Sequence, residues 1–172
     1  MNSDEENAKQ LFFDYACSHY YMFHDGVEEE FKKYNISEIQ EQEWRREFID
    51  SWIGKLSVDD PYPLKRLRDT SAQEAISALR NLGFQGDSYS KLWCANAILD
   101  FIKGSESWAK QGNDAAIELF DKLATENIVI SKEHRTKITL VMMLSLGTFT
   151  PEAFIRKYAA NKLSDLERKN EC

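Results

Sequence analysis

Two histidines, His19 and His24, stand beside Cys17 and a run of acids that starts at Asp25 and reaches Glu28, Glu29 and Glu30. Imidazole, thiol and carboxylate are the side chains of metal centres, nucleophile–base pairs and acid–base catalysis. Spacing decides among them. Residues five apart on a helix lie about 140° apart around its axis, so His19 and His24 do not share an ion as an i,i+4 pair does. Cys17 and His19 are two apart and point about 200° apart, so they form no dyad with each other. Three consecutive acids fan out around a helix and make no cage for a cation.

A surface role suits these residues better. Glu28, Glu29 and Glu30, with Asp25 nearby, are expected to join Glu38, Glu41 and Glu47 in one negative surface for a basic partner. Tyr20 and Tyr21 flank an apolar stripe and cannot both be buried with it. An exposed tyrosine beside acids has the character of an interface hot spot. The expected partner-binding set is therefore Tyr20, Tyr21, Asp25, Glu28, Glu29, Glu30, Glu38 and Glu41. No catalytic, cofactor-binding or metal set is expected. The chain has no Glu-x-x-His or His-Glu-x-x-His, no zinc-spaced cysteines, no phosphate-cradling glycine loop and no nucleophile elbow.

The charge distribution agrees. Residues 1–60 hold 15 acids against 6 bases, while residues 61–172 hold 14 against 16. Of 21 aromatic residues, 12 fall between Phe12 and Tyr62. Such a segment steers a basic protein toward itself and repels phosphate, so no nucleic-acid partner is expected. Lys65, Arg66 and Arg68 form the one basic cluster, and they are expected to pair with the acidic first third. The longest apolar stretch, Ile138 to Leu146, is too short to span a bilayer, so no membrane partner is expected. Three well-separated cysteines, Cys17, Cys94 and Cys172, fit reduced thiols in a cytoplasmic protein, with Cys94 a buried, inert one.

Helices must position these residues. Seven Gly and three Pro in 172 residues favour an all-α chain. Ser3 with Glu6 and Ser37 with Gln40 are capping boxes. After Ser3 one stripe runs through Leu11, Phe12, Tyr15, His19, Met22 and Phe23, with Gly26 as the stop. After Ser37 another runs through Trp44, Phe48 and Trp52. Val58-Asp59-Asp60-Pro61-Tyr62-Pro63 is the clearest break. Helix resumes from Leu64 to Leu82, where Gly83 is expected to end it. Asp87 or Ser88 caps the next helix. Gly112 is expected to separate a short turn of helix from a longer one, Ser131 caps a further helix, and Thr150-Pro151-Glu152 starts the last.

These signals predict an all-α single domain, residues 1–172, of about six to eight antiparallel helices, bundle-like or irregular. A short stack of α-hairpins of the HEAT or armadillo kind is the alternative. A subdivision at residues 60 and 61 is open. The expected function is a non-enzymatic protein-binding module, an acidic inhibitor or adaptor of the immunity or antitoxin kind. The alternatives are a helical enzyme using His19, His24 and nearby acids, and a structural helical scaffold. A homodimer is open.

Overall fold

The computed structural model describes residues 3–144 and 150–170, and it is all-α. Among the described residues there are ten helices and no strand: α1 (Ser3–Asp14), α2 (His19–His24), α3 (Glu28–Lys32), α4 (Glu38–Ile53), α5 (Tyr62–Asp69), α6 (Glu74–Gln85), α7 (Ser88–Phe101), α8 (Glu106–Thr125), α9 (Lys132–Leu144) and α10 (Pro151–Asn170). The chain divides into two compact units, residues 1–75 and 76–172. None of the described helices is long and apolar enough to cross a membrane.

The stripe from Leu11 to Phe23 is not one helix. α1 ends at Asp14, and Ala16 and Cys17 both take left-handed backbone, with φ of 53° and 55°. Such angles cost a non-glycine residue about 1–2 kcal/mol each, and tertiary contacts offset that cost. The Cys17 amide donates to Phe12 O at 2.8 Å. Both residues are buried. Arg66, on α5, donates to the carbonyls of Phe13 (2.6 Å) and Asp14 (3.4 Å) at the end of α1. Its guanidinium lies over Phe48 at 5.2 Å and Trp52 at 6.0 Å. Of the basic cluster, Arg66 thus reaches the first third, where it meets backbone carbonyls rather than carboxylates. Arg45 closes α5 in the same manner, donating to Thr70 O at 2.5 Å and to Ser71 O at 3.4 Å. In each case a cation meets the negative end of a helix and bonds its last carbonyls, that of Phe13 also accepting from the Ala16 amide at 3.0 Å.

The core of residues 1–75 collects Ala8, Phe12, Ala16, Cys17, Met22, Phe31, Trp44 and Phe48. Phe12 lies against Phe31 with ring centroids 5.3 Å apart. The Trp44 and Phe48 stripe is therefore core, with Trp52 at its edge.

In residues 76–172, α7 and α8 pack against each other and both meet α10. Gly83 and Gly112 do not end helices. α6 runs through Gly83 and α8 runs through Gly112 without interruption. Both glycines serve close packing. A Cβ at Gly112 would lie 2.4 Å from Ile102 Cγ2, and one at Gly83 would lie 2.9 Å from Leu119 Cδ2.

A polar joint fastens the start of α7. Asp87 Oδ1 accepts from the Ser90 amide (2.9 Å) and hydroxyl (3.0 Å). Its Oδ2 accepts from the Ser131 amide (2.8 Å) and lies 2.9 Å from His134 Nδ1. Ser88 and Val129 exchange two bonds beside it, Ser88 N to Val129 O at 2.8 Å and Val129 N to Ser88 Oγ at 2.9 Å. Residues 128–130 are thus a connector tied to α7, not a strand.

Candidate functional site

α2, His-Tyr-Tyr-Met-Phe-His, buries Met22 alone. Ser18 caps it, accepting from the Tyr21 amide at 3.4 Å. Tyr20 and Phe23 lie three apart, on one side of the helix, and each is 71% exposed. Tyr21 is 39% exposed and meets Tyr20 edge-on, with centroids 5.6 Å apart. The large exposed apolar and aromatic side chains described are Tyr20, Tyr21, Phe23, Ile39, Tyr62 and Val129. Five of the six lie in residues 1–75, and three lie on α2. Exposed apolar residues scattered singly are ordinary, whereas these three are neighbours on one short helix.

The six acids expected beside the tyrosines fall into two groups. Asp25, Glu28, Glu29 and Glu41 are engaged within the unit. Asp25 Oδ1 lies 2.8 Å from His24 Nδ1. Lys32 donates to Glu29 at 2.8 Å and to Glu28 at 3.2 Å. The Lys32 hydrogen bond, with its charge, holds the Glu29 carboxyl below its usual range. His19 Nε2 lies 2.8 Å from Glu41, and its Nδ1 lies 3.8 Å from Glu28. Glu30 and Glu38 form the second group. They are exposed and make no ion pair with the described residues. Two residues escaped sequence reasoning. The apolar stripe predicts Phe23 in the core, yet it is solvent-facing because α1 has already ended. Ile39, 72% exposed at the start of α4, carried no signal.

The other chemical groups are bound into the fold. Burial pushes the Cys17 thiol up to about 12, against the opposing pull of Arg45 and Arg66. Burial alone pushes Cys94 up to about 12. A thiol this high is neutral at physiological pH and is not a ready nucleophile. Cys172 lies outside the described residues. His134 is held by Asp87 and lies against the Tyr89 ring, with centroids 4.6 Å apart. Among the described residues no group of three or more His, Cys, Asp or Glu has the geometry to hold a metal ion. A groove of about 750 Å³ between α7, α8 and α10 is edged by Lys103 and Arg168, which pair with Asp100 and Asp165 on its own rim.

No protein-family model, curated protein or solved structure matches this chain. Residues 1–75 hold 17 acids against 9 bases, whereas residues 76–172 hold 12 against 13. The exposed rings and the surplus negative charge lie in the same unit. Rings supply contact area that loses little conformational freedom on binding, and charge of one sign steers encounter with the opposite sign.

Proposed function

We propose that this chain is a cytoplasmic, non-enzymatic protein-binding module. It acts as an acidic inhibitor or adaptor, of the immunity or antitoxin kind, whose α2–α3 face engages a basic protein surface. One observation carries this reading: Tyr20, Tyr21 and Phe23 stand exposed on α2 in the unit that holds the surplus acid. The rings anchor the contact. Glu30 and Glu38, which make no ion pair with a described residue, offer their charge to the partner.

Charge reversal tests the electrostatic half. Glu30→Lys together with Glu38→Lys is expected to weaken partner binding about tenfold at low salt, since both changes turn attraction into repulsion. The gap between variant and wild type is expected to close toward about 1 M salt, where the screening length falls to about 3 Å. Both positions are exposed and make no ion pair with a described residue, so the fold is expected to be unchanged by circular dichroism. Equal affinity and an equal salt slope in the two proteins would remove the acids from the interface.

A further inference from the structure

The groove between α7, α8 and α10 stays open because of the side chains around it. On α8 it is lined by Ala109 and Asn113, two short residues one helical turn apart. Its walls carry longer ones, Leu99 and Ile102 at the end of α7 and Lys162 and Leu166 on α10. A polar contact fixes α10 against α7: Tyr158 OH donates to Asn96 Oδ1 at 2.8 Å, and Asn96 Nδ2 donates to Leu92 O at 2.9 Å. The volume of about 750 Å³ lies inside the range of about 300–1,000 Å³ typical of small-molecule sites, which join apolar walls to a few placed polar groups.

Two features say what fits there. The apolar lining is recessed. Ile102 and Leu166 are buried, Leu99 is half-buried, and none of the large exposed apolar side chains described lies in the groove. A protein surface would meet little that projects. From Lys162 to Arg168 α10 rises about 9 Å, less than two turns of a docked helix and about the length of an eight-carbon chain. The charge of the lining, in turn, does not cancel. Lys103 pairs with Asp100, and Arg168 pairs with Asp165. Lys162 is half-buried, holds its Nζ 5.6 Å from the centre of the Tyr158 ring and makes no ion pair with a described residue. Asn96 is fully engaged, whereas the Asn113 amide makes no hydrogen bond with a described residue.

We propose that this groove binds a straight-chain carboxylate of about eight carbons, with its alkyl chain along Leu99, Ile102, Ala109 and Leu166 and its carboxylate held by Lys162 and Asn113. The Lys162 ammonium donates a charge-assisted hydrogen bond to one carboxylate oxygen, and the Asn113 amide donates to the other. The Lys162 stem covers apolar surface while its charge stays at the rim. The site lies wholly within residues 76–172 and does not rest on the reading of α2.

Titration of the whole chain with octanoate, followed through backbone amide chemical shifts, tests the site. Saturable shifts are expected on the stretches of α7, α8 and α10 that line the groove. 1-Octanol, which has the same chain without the charge, is expected to bind about tenfold more weakly, the worth of one charge-assisted contact. Lys162→Met keeps the stem and removes the charge. It is expected to weaken octanoate about tenfold and to leave octanol within about twofold. Ala109→Leu fills the groove and is expected to weaken both ligands; Asn113→Leu blocks the same space should Ala109→Leu fold poorly. Lys55→Met, in residues 1–75, is expected to leave octanoate binding unchanged. No saturable shift, shifts centred elsewhere on the chain, or octanoate affinity that survives either Lys162→Met or the groove-filling variant overturns the proposal.

Discussion

Asp87→Ala is expected to destabilise residues 76–172 by about 3 kcal/mol. The carboxylate accepts from the Ser90 amide and hydroxyl and from the Ser131 amide, and it pairs with His134. Losing the N-cap of α7 costs about 1 kcal/mol. Losing charge-assisted bonds to Ser131 and His134 costs about 1.5–3 kcal/mol more. Asp87→Asn, which keeps an acceptor oxygen, is expected to recover part of this. The effect has a pH signature. Burial opposes ionisation of Asp87, but the bonds from the Ser131 and Ser90 amides, His134 and the Ser90 hydroxyl prevail and hold its carboxyl well below its ordinary value of 3.8. A depressed folded value means that the unfolded chain takes up the proton first. The contribution is therefore complete above about pH 5 and fades as the solution is made more acid than the ordinary value. Urea titrations of wild type and Asp87→Ala at about pH 7 and about pH 3 check this. The stability gap should be wide at the first pH and narrower at the second. An equal gap at both would mean that the carboxylate's charge contributes nothing.

Arg66→Ala is expected to cost residues 1–75 about 2–4 kcal/mol. The substitution leaves the Phe13 and Asp14 carbonyls without their cation and strips a guanidinium from the faces of Phe48 and Trp52. A bond from a charged donor is worth about 1.5–3 kcal/mol, and a partly dehydrated cation–π contact adds about 1 kcal/mol. Arg66→Lys is expected to restore less than half, because an ammonium lacks the planar fork that spans two carbonyls and stacks on a ring. The cost is tempered because Arg66 Nε is buried with no hydrogen-bond partner, so the wild-type residue is itself incompletely satisfied. Denaturant unfolding of the three proteins measures the series. An alanine variant within about 0.5 kcal/mol of wild type would show that α1 ends at Asp14 without help from Arg66.

These two residues also mark where local sequence signals stop. Ser37 accepts from the Gln40 amide at 3.2 Å, as its capping box predicts. Trp44 and Phe48 are buried at the spacing their stripe requires, and Gly26 and Gly104 take the positive φ of helix stops. Each is settled by neighbours in the chain. The end of α1 is not. Ala16 and Cys17 disfavour left-handed backbone, and the groups that stabilise it there include Arg66, some fifty residues on. The apolar stripe therefore reads straight through the break, and Phe23 is assigned to the core when it belongs to the surface. Gly83 and Gly112 mislead for a related reason. A glycine that lets a helix turn out and one that lets a helix approach a neighbour are identical in sequence, and only Ile102, Leu119 and Cys94 distinguish them here. For the proposed docking face, the two tyrosines and the acid run are legible as types. Which acids are already engaged is legible only in part: Lys32 meets Glu28 and Glu29 at helix spacing within α3, whereas His19 meets Glu41 only once α2 and α4 have folded together.

The central claim is that the exposed rings of α2 hold a basic protein. Its most direct test is affinity capture from the native host's lysate, at low and high salt, with wild type and a Tyr20→Ala/Phe23→Ala variant in parallel, and with bound proteins identified by mass spectrometry. Both rings are largely exposed, so the variant is expected to fold as wild type does. The account predicts one basic protein retained by wild type at low salt, released at high salt and absent from the variant. Retention of the same protein by the variant, or capture of no specific protein by wild type at either salt, would contradict it.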